Sequence, residues 1–487
     1  MTLTRSDSNP DDDAAARPRR AALAALALAM LLSSLGTSIA NVALPTLAHE
    51  LGAPFQTVQW IVLAYLLAVT STVVVIGRLG DRLGRRRLLV AGLVTFTLGS
   101  ALSGLAPALW VVIVARAVQG LGAAAMMALS VALVGDLVPQ AETGRAMGLL
   151  GTTSAVGTAL GPSLGGVLIH ALGWRSIFLV NVPLALAAAF LAQRALPADP
   201  SGRAARTGTV PSRSALAGTL LLAATLAAYG LATTLGRGHL GATNGALLAA
   251  AALGAALFVR TERRAASPLI RTRALREPAR SAGLAASAVV ATVLMATLVV
   301  GPFYLSRALG LDARVVGLVM SAGPAVAALT AAPAGRLVDR YGTRRTSAVG
   351  LTGIAAACLA LASPSVTLGV PGYVAPIVVL TASYALFQTA NNTAVMRGVS
   401  ARERGHVAGL LNLARNLGLV TGTAVMGAVF ALASGSHDPA SAPPDALATG
   451  MRVTFAVGAA LVAAGLALVA LPRSLAASDP HGAALGA

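Results

Sequence analysis

The stretch GRLGDRLGRRR, from Gly77 to Arg87, returns later in the chain as GRLVDRYGTRR, from Gly335 to Arg345. Glycine, arginine, leucine, aspartate, arginine and glycine recur at the same offsets in both copies. Each copy follows one apolar run and precedes another, so each lies in a short polar connection between two apolar segments. The repeat indicates that the chain contains two related halves.

The composition around this repeat is that of a membrane protein. The chain has 487 residues, of which 56% are hydrophobic and 11% charged, and its mean hydropathy is +0.77. Soluble domains carry roughly 25% charged residues, so this chain lacks the side chains for a fully wetted surface. The net charge of +19 comes from arginines placed between apolar runs, and aromatic residues make up only 4%. These features argue against nucleic-acid binding.

Other chemistry-bearing patterns are missing from the sequence. The single cysteine, Cys358, lies in an apolar run, so no internal disulfide can form. We find no group of His, Cys, Asp and Glu with metal-ligand spacing and no glycine-rich phosphate loop. We therefore predict no metal, no cofactor and no enzymatic activity.

The apolar runs predict fourteen transmembrane helices. A spanning helix needs about 20 apolar residues, and backbone groups in lipid must be paired within the segment. The predicted spans, numbered 1 to 14 in chain order, cover roughly 21–43, 58–77, 88–107, 108–134, 147–169, 177–193, 215–235, 241–259, 282–305, 315–335, 346–362, 372–396, 407–433 and 453–471.

The positions of the arginines predict the orientation. An even number of spans puts both chain ends on one side, and arginine accumulates in cytoplasmic connections. Most of the 36 basic residues lie on the side of the chain ends. The exceptions are Arg175, Arg237, Arg307, Arg314 and Arg452 on the other side, and Arg116 and Arg415 within spans. We expect both termini to be cytoplasmic.

A second echo sharpens the division into halves. ETGRAMGLLG, Glu142 to Gly151, is similar to ERGHVAGLLN, Glu403 to Asn412. Spans 1–6 therefore correspond to spans 9–14, whereas spans 7 and 8 have no counterpart. The predicted organisation is a disordered cytoplasmic N-terminus (1–20), a six-helix half (21–196), a cytoplasmic linker (197–213), an inserted two-helix hairpin (214–260), a basic cytoplasmic loop (261–281), a second six-helix half (282–472) and a cytoplasmic tail (473–487).

The repeated stretch suits a tight turn between spans. Gly77 and Gly84 permit close helix approach, and Asp81 can pair with nearby arginines or with a positive helix N-terminus. The spacing resembles the signature loop of the major facilitator superfamily, a latch that helps to hold one of two access states. The resemblance assigns this gating role to Gly77, Asp81, Arg82, Gly84, Arg85 and Arg86 and, in the weaker second copy, to Gly335, Asp339, Arg340 and Gly342.

Spans 4 and 5 carry two further motifs. Span 5 reads GTALGPSLGG, whose spaced glycines favour helix contact and whose proline favours a bend. It resembles the antiporter signature of drug exporters, which points to Gly157, Gly161, Pro162, Gly165 and Gly166. Span 4 reads VARAVQGLGAA and contains an arginine, which is costly inside a membrane. It resembles the family's span-four motif for proton transfer, which points to Arg116, Gln119 and Gly120.

Two more strings narrow the resemblance. WRSIFLVNVP, Trp174 to Pro183, and SLGTSIANVALP, Ser34 to Pro45, resemble the fourteen-helix drug:proton antiporters. In that family an aspartate usually stands where this chain has Gly36. All 17 Asp and Glu residues lie in loops, tails or at span ends, so the usual embedded carboxylate is missing. Gly36 and Arg116 lie at similar depth, and we expect an arginine that faces a gap.

Two hypotheses follow from that departure. In one, an anionic or strongly polar group of the cargo, or water and chloride, neutralises Arg116. In the other, proton exchange persists through Asp81 or Asp136 near the cytoplasmic side, where adjacent arginines tune the carboxylate. Candidate cavity residues in the two halves are Thr37, Asn41, Trp60, Tyr65, Gln119, Gln388, Asn391 and Asn392.

The sequence thus predicts an all-α polytopic membrane protein with the major facilitator fold. We expect a secondary active transporter of the bacterial plasma membrane that exports amphipathic drugs or antibiotics, driven by the proton gradient. The alternative is a transporter of a specific anionic metabolite recognised by Arg116. The expected partners are a small-molecule substrate, protons and the lipid bilayer, and we expect a monomer.

Overall fold

A computed structural model describes residues 10–139, 142–199, 213–235, 241–264, 277–363, 368–397, 399, 404–435 and 442–470. Every regular element in these ranges is helical. Fourteen of the described helical stretches are long and apolar enough to cross a membrane, which confirms the predicted number. The fold class is therefore confirmed as an all-helical membrane bundle.

The helices map onto the spans as follows. The first half comprises span 1 (α1, Pro10–Glu50), span 2 (α2, Phe55–Val58, and α3, Trp60–Leu83), span 3 (α4, Arg85–Leu105), span 4 (α5, Leu109–Leu137), span 5 (α6, Thr143–Leu172) and span 6 (α7, Ser176–Leu179, and α8, Asn181–Ala195). The hairpin comprises span 7 (α9, Arg213–Thr234) and span 8 (α10, Ala242–Arg264).

The second half follows the same plan. It comprises span 9 (α11, Pro278–Phe303, continued by a π-helical turn, Tyr304–Ala308), span 10 (α12, Ala313–Met320, and the first part of α13, Ala322–Ala362), span 11 (the second part of α13), span 12 (α14, Val370–Met396), span 13 (α15, Arg404–Thr421, a π-helical turn, Gly422–Met426, and α16, Gly427–Ala433) and span 14 (α17, Pro444–Ala470). We call the side of the bundle with both chain ends the terminal side and the other the opposite side.

Three boundaries differ from the prediction. Helix α1 begins at Pro10, inside the stretch predicted to be disordered, because the alanine-rich sequence after it favours a helix continuous with span 1. Span 14 begins at Pro444, where the prediction had an outer loop. Span 8 runs to Arg264, so Glu262, assigned to the basic loop, lies in a helix and is nearly fully buried.

The two halves meet at the opposite side. Phe55, at the start of span 2, packs edge-on against Phe303 of span 9 and Phe430 of span 13, with ring centroids 4.7 and 5.7 Å apart. All three rings are fully buried. Nearby, spans 5 and 10 cross so closely that a Cβ on Gly166 would lie 2.8 Å from the Cα of Gly317. These contacts close the seam between the halves at the opposite side.

The hairpin covers one lateral face of that seam. Span 7 packs against span 2 of the first half and also touches the π-helical turn of span 13 in the second half. The indole nitrogen of Trp60 donates a 3.0 Å hydrogen bond to the hydroxyl of Thr234. Asn244 of span 8 donates to the carbonyl of Ala232 at 2.8 Å, which joins the two hairpin helices. The inserted helices therefore touch both halves.

Candidate functional site

The centre of the first half is organised around Arg116. Its side chain is fully buried in span 4 and donates hydrogen bonds from all three nitrogens. Nε donates to the carbonyl of Ile61 in span 2 at 2.9 Å, and Nη2 donates to the carbonyl of Gly36 in span 1 at 2.9 Å. Nη1 donates to the amide oxygen of Gln119 at 2.5 Å. One cation thus joins three spans.

Aromatic rings complete the surroundings of this cation. The guanidinium carbon lies 4.2 Å from the ring centroid of Tyr65 and 5.9 Å from that of Phe178. A desolvated cation over a ring face gains on the order of 2 kcal/mol. The Tyr65 hydroxyl donates to the carbonyl of Ser33 at 2.7 Å, which holds the ring in place. Among the described residues, none of the hydrogen-bond acceptors of Arg116 is a carboxylate. Carbonyl and amide dipoles and the faces of the aromatic rings stabilise its positive charge instead.

The structure leaves little space for a larger side chain at Gly36, where an aspartate was expected. A Cβ on Gly36 would lie 3.2 Å from the Tyr65 hydroxyl and 3.2 Å from a ring carbon of Phe96. A carboxylate would have to displace one of these rings. The expectation that Arg116 faces a gap is therefore wrong: the carbonyl of Gly36 itself accepts a bond from the arginine, and Tyr65 fills the space.

Gln119 extends the network to a fourth span. Its amide nitrogen donates to the hydroxyl of Ser100 in span 3 at 2.7 Å, while its oxygen accepts from Arg116. Gly120 allows the close approach of span 2, because a Cβ there would lie 2.6 Å from the carbonyl oxygen of Tyr65. The predicted span-four residues therefore lie together in one buried network, which is called the Arg116 network below.

The glycines of span 5 serve two different neighbours. Gly157, Gly161 and Gly165 lie against span 1, where Cβ atoms on the last two would come 2.9 Å from the backbone nitrogen of Ile39 and 2.7 Å from Val42. Gly166 instead lies against Gly317 of the other half, and a Cβ on Gly317 would lie 2.5 Å from the carbonyl oxygen of Pro162. The end of this helix is therefore part of the seam.

The first signature loop is joined to two spans on the terminal side. Arg85 donates to the carboxylate of Asp136, at the end of span 4, at 2.7 Å. The carboxylate of Asp199, just after span 6, accepts from the backbone nitrogens of Arg86 and Arg87 at 3.0 Å each. Asp199 therefore caps the N-terminus of span 3 from a distant part of the chain, which satisfies two helix donors.

The other predicted residues of this loop are less informative. Gly84 has a φ of 98° and ends span 2, so it provides the turn that the sequence predicted. Arg82 is exposed, and a Cβ on Gly77 would meet open space. The side chain of Asp81 lies outside the described part of the structure.

The second signature loop is a kink inside one long helix. Gly342, with a φ of 78°, breaks α13 where span 10 passes into span 11. Asp339 and Arg340 are exposed, and Arg340 lies 5.3 Å from the ring centroid of Tyr341. A Cβ on Gly335 would meet open space.

The predicted cavity residues separate into three groups. Thr37 and Asn41 lie near the Arg116 network: the Thr37 hydroxyl donates to Ser33 and the buried Asn41 amide donates to Thr37, both to carbonyl oxygens. Trp60 contacts the hairpin instead, as described above. The third group, in span 12, behaves differently again.

In span 12 the two adjacent amides point to different partners. The Asn391 amide donates to the carbonyl of Gly283 in span 9 at 3.0 Å, so it joins two helices of the second half. Asn392 accepts from Gln388 on its own helix at 3.3 Å. Gln388 and Asn392 are half-buried, and they remain candidates for cargo contact.

Sequence reasoning missed two features of these sites. The cap from Asp199 leaves no pattern in the sequence, because the contact joins residues far apart in the chain. The aromatic contact of Phe55 with Phe303 and Phe430 was also missed, although a phenylalanine at each span end was visible.

Comparisons with known proteins agree with this architecture. A family model described as Major Facilitator Superfamily matches residues 26–423 and 284–484. The multidrug resistance protein Stp of Mycobacterium tuberculosis is 32% identical over 420 residues, covering 84% of this chain and 75% of that protein. The riboflavin transporter RibZ of Clostridioides difficile is 28% identical over 408 residues, covering 83% and 87%.

A solved structure shares the fold. A bacterial homologue of the human lysosomal transporter Spinster, crystallised in an inward-facing and unoccupied conformation, superposes with a TM-score of 0.67 at 17% identity. The match covers 95% of this chain and 97% of that one.

Proposed function

The chain belongs to the Major Facilitator Superfamily, and we propose that it is an efflux transporter that exports amphipathic drugs or antibiotics by alternating access. The observation that carries this proposal is the closed seam at the opposite side. The rings of Phe55, Phe303 and Phe430 and the close crossing of Gly166 and Gly317 form it. Such a contact can open when one half rocks against the other.

The names of the relatives support export of drugs without fixing the cargo. Stp is named as a multidrug resistance protein, whereas RibZ is named as a riboflavin transporter. The rival proposal, a transporter that recognises an anionic metabolite through Arg116, has less support. All three nitrogens of that side chain already donate to protein acceptors, and the side chain is fully buried.

The proposed energy source is the proton gradient, with Asp136 as the coupling residue. Asp136 is half-exposed at the end of span 4 and is paired with Arg85 of the signature loop. This ion pair joins the loop to span 4, so breaking it would free the loop. We further propose that the protein lies in the plasma membrane with both termini cytoplasmic, as the distribution of arginines indicates. We propose that it acts as a monomer.

The test is transport by the purified full-length chain in liposomes. A panel of fluorescent cationic dyes and antibiotics is measured with and without an imposed pH gradient. We expect gradient-dependent movement of several members of the panel. Movement of none of them overturns drug export, and movement that ignores the gradient overturns the proton coupling.

Three variants assign the roles of residues in the same assay. Asp136→Asn should transport downhill but lose its response to the gradient, whereas Asp445→Asn, at the exposed start of span 14, should behave as wild type. Arg116→Gln should lower the thermal midpoint and leave the affinity of the remaining folded protein for cargo unchanged. A loss of affinity specific to anionic cargo would favour the metabolite transporter.

A further inference from the structure

A cavity of about 690 Å³ opens between spans 3 and 6 on the terminal side. Its lining includes Arg86, Arg87, Val90, Phe190, Gln193 and Arg194. Arg86 belongs to the first signature loop, but Arg87 and Arg194 have no role in the gating loops or in the Arg116 network described above. The cavity is separate from the seam between the halves, because both helices belong to the first half.

The charge in the cavity is strongly positive. Three arginines line it against one carboxylate, that of Asp199. Both oxygens of that carboxylate accept backbone N–H groups of span 3, so Asp199 is held at the helix terminus. The side chains of Arg87 and Arg194 are exposed, and Arg194 lies 4.8 Å from the ring centroid of Phe190. Both guanidinium groups can therefore meet an anion.

Exposed apolar side chains continue from the cavity along the two helices. On span 3, Arg86 and Val90 are followed at four-residue steps by Val94 and Leu98, which are 44% and 56% exposed. Residues four apart on a helix share one face. This face therefore has an arginine at the terminal side and exposed aliphatic side chains farther into the membrane.

Span 6 repeats the arrangement in the reverse chain direction. Leu186, Phe190 and Arg194 also follow at four-residue steps, and the first two are 53% and 58% exposed. Spans 3 and 6 pack against each other, and Val90 and Phe190 line the same cavity, so we infer that the two faces form the sides of one groove. Its exposed apolar side chains lie within spanning segments, where the neighbouring solvent is lipid.

We propose that this cavity and groove bind an anionic phospholipid. The guanidinium groups of Arg87 and Arg194 hold the phosphodiester of the headgroup, and the acyl chains lie along the exposed residues of spans 3 and 6. Basic pockets between spanning helices recognise such headgroups. The apolar groove below the charges is what distinguishes a lipid site from a site for free phosphate.

The test is native mass spectrometry of the delipidated full-length protein. Phosphatidylglycerol and phosphatidylcholine with the same acyl chains are titrated separately, and the occupancy of bound lipid is recorded. We expect preference for phosphatidylglycerol and an apparent affinity about thirtyfold lower in Arg87→Gln/Arg194→Gln, because each arginine near the surface contributes about five- to sixfold. Equal binding of both lipids by wild type, or unchanged binding by the double variant, overturns the proposal.

The matched control is Arg344→Gln/Arg345→Gln. These exposed arginines occupy the offsets of Arg86 and Arg87 in the second signature loop, so the same net charge is removed elsewhere. The control should bind lipid as wild type does; an equal loss overturns the assignment to this cavity. Arg87→Lys/Arg194→Lys should keep most of the affinity, which excludes misfolding as the cause. Displacement of phosphatidylglycerol by millimolar inorganic phosphate would identify a free-phosphate site instead and overturn the lipid.

Discussion

The two copies of the signature loop share a sequence pattern but differ in their surroundings. In the first copy, Gly84 separates two helices, and the residues after it are bonded to Asp136 and Asp199. In the second copy, Gly342 kinks a continuous helix, and Asp339 is exposed. A shared turn geometry therefore does not imply shared contacts. The first copy connects spans 3, 4 and 6, whereas the second provides a change of direction.

The glycines of the two turns offer the sharpest test of this difference. Both have positive φ with extended ψ, where any other residue costs on the order of 1–3 kcal/mol. Gly342→Ala should cost only that amount, because a Cβ there meets open space. Gly84→Ala should cost about 1 kcal/mol more, because its Cβ would lie 2.8 Å from the Cβ of Asp199 and displace the cap.

The measurement is the free energy of unfolding of each full-length variant by SDS titration in mixed micelles. Equal losses for the two alanine variants would show that the cap at Gly84 is dispensable. The two loops would then differ less than their contacts indicate.

The cap itself predicts the next largest effect. Asp199→Ala removes the acceptor of two backbone N–H groups at the start of span 3, and loss of an N-cap costs about 1–2 kcal/mol. Asp339→Ala is the matched control, because that carboxylate is exposed in the second loop. Thermal midpoints in detergent should fall for the first variant and stay unchanged for the second. Identical midpoints for the two variants would show that the Asp199 cap does not stabilise the first loop relative to the second.

The ion pair of the first loop predicts the smallest effect. Arg85 and Asp136 lie 2.7 Å apart with side chains 31% and 51% exposed, and such pairs contribute roughly 0.2–1 kcal/mol. Asp136→Asn should therefore lower the free energy of unfolding slightly, and the difference from wild type should shrink in high salt. Arg340→Gln serves as the control in the second loop. A loss above the Asp199→Ala variant would reverse our ranking.

The number of spans and their type were predictable because each span is recognisable from its own composition. An apolar run of sufficient length has to be a helix in lipid, whatever its neighbours are. The second echo of the repeat then fixed which spans correspond. Helix ends were less predictable: Pro444 and Pro10 begin helices in stretches too polar to be read as membrane.

The surroundings of Arg116 were not predictable in the same way. A search for carboxylates could not find its partners, because two of the three acceptors are backbone carbonyls of Gly36 and Ile61. Every residue has a carbonyl, so such partners leave no mark in a sequence. Trp60 was read as a cavity residue, but its partner Thr234 belongs to the hairpin, whose position has no counterpart in the repeat.

The position of the hairpin makes the two lateral faces of the seam unequal. The face beside spans 2 and 13 is covered by span 7, whereas the face beside spans 5 and 10 is closed by the direct packing of those two helices around Gly166 and Gly317. A molecule dissolved in the bilayer therefore meets a different surface on each of these two faces. On one face such a molecule meets the inserted hairpin, and on the other it meets two helices of the opposite halves in direct contact. The pseudo-symmetry of the two halves thus does not extend to the lipid-facing surface, and the two lateral faces of the transporter are different.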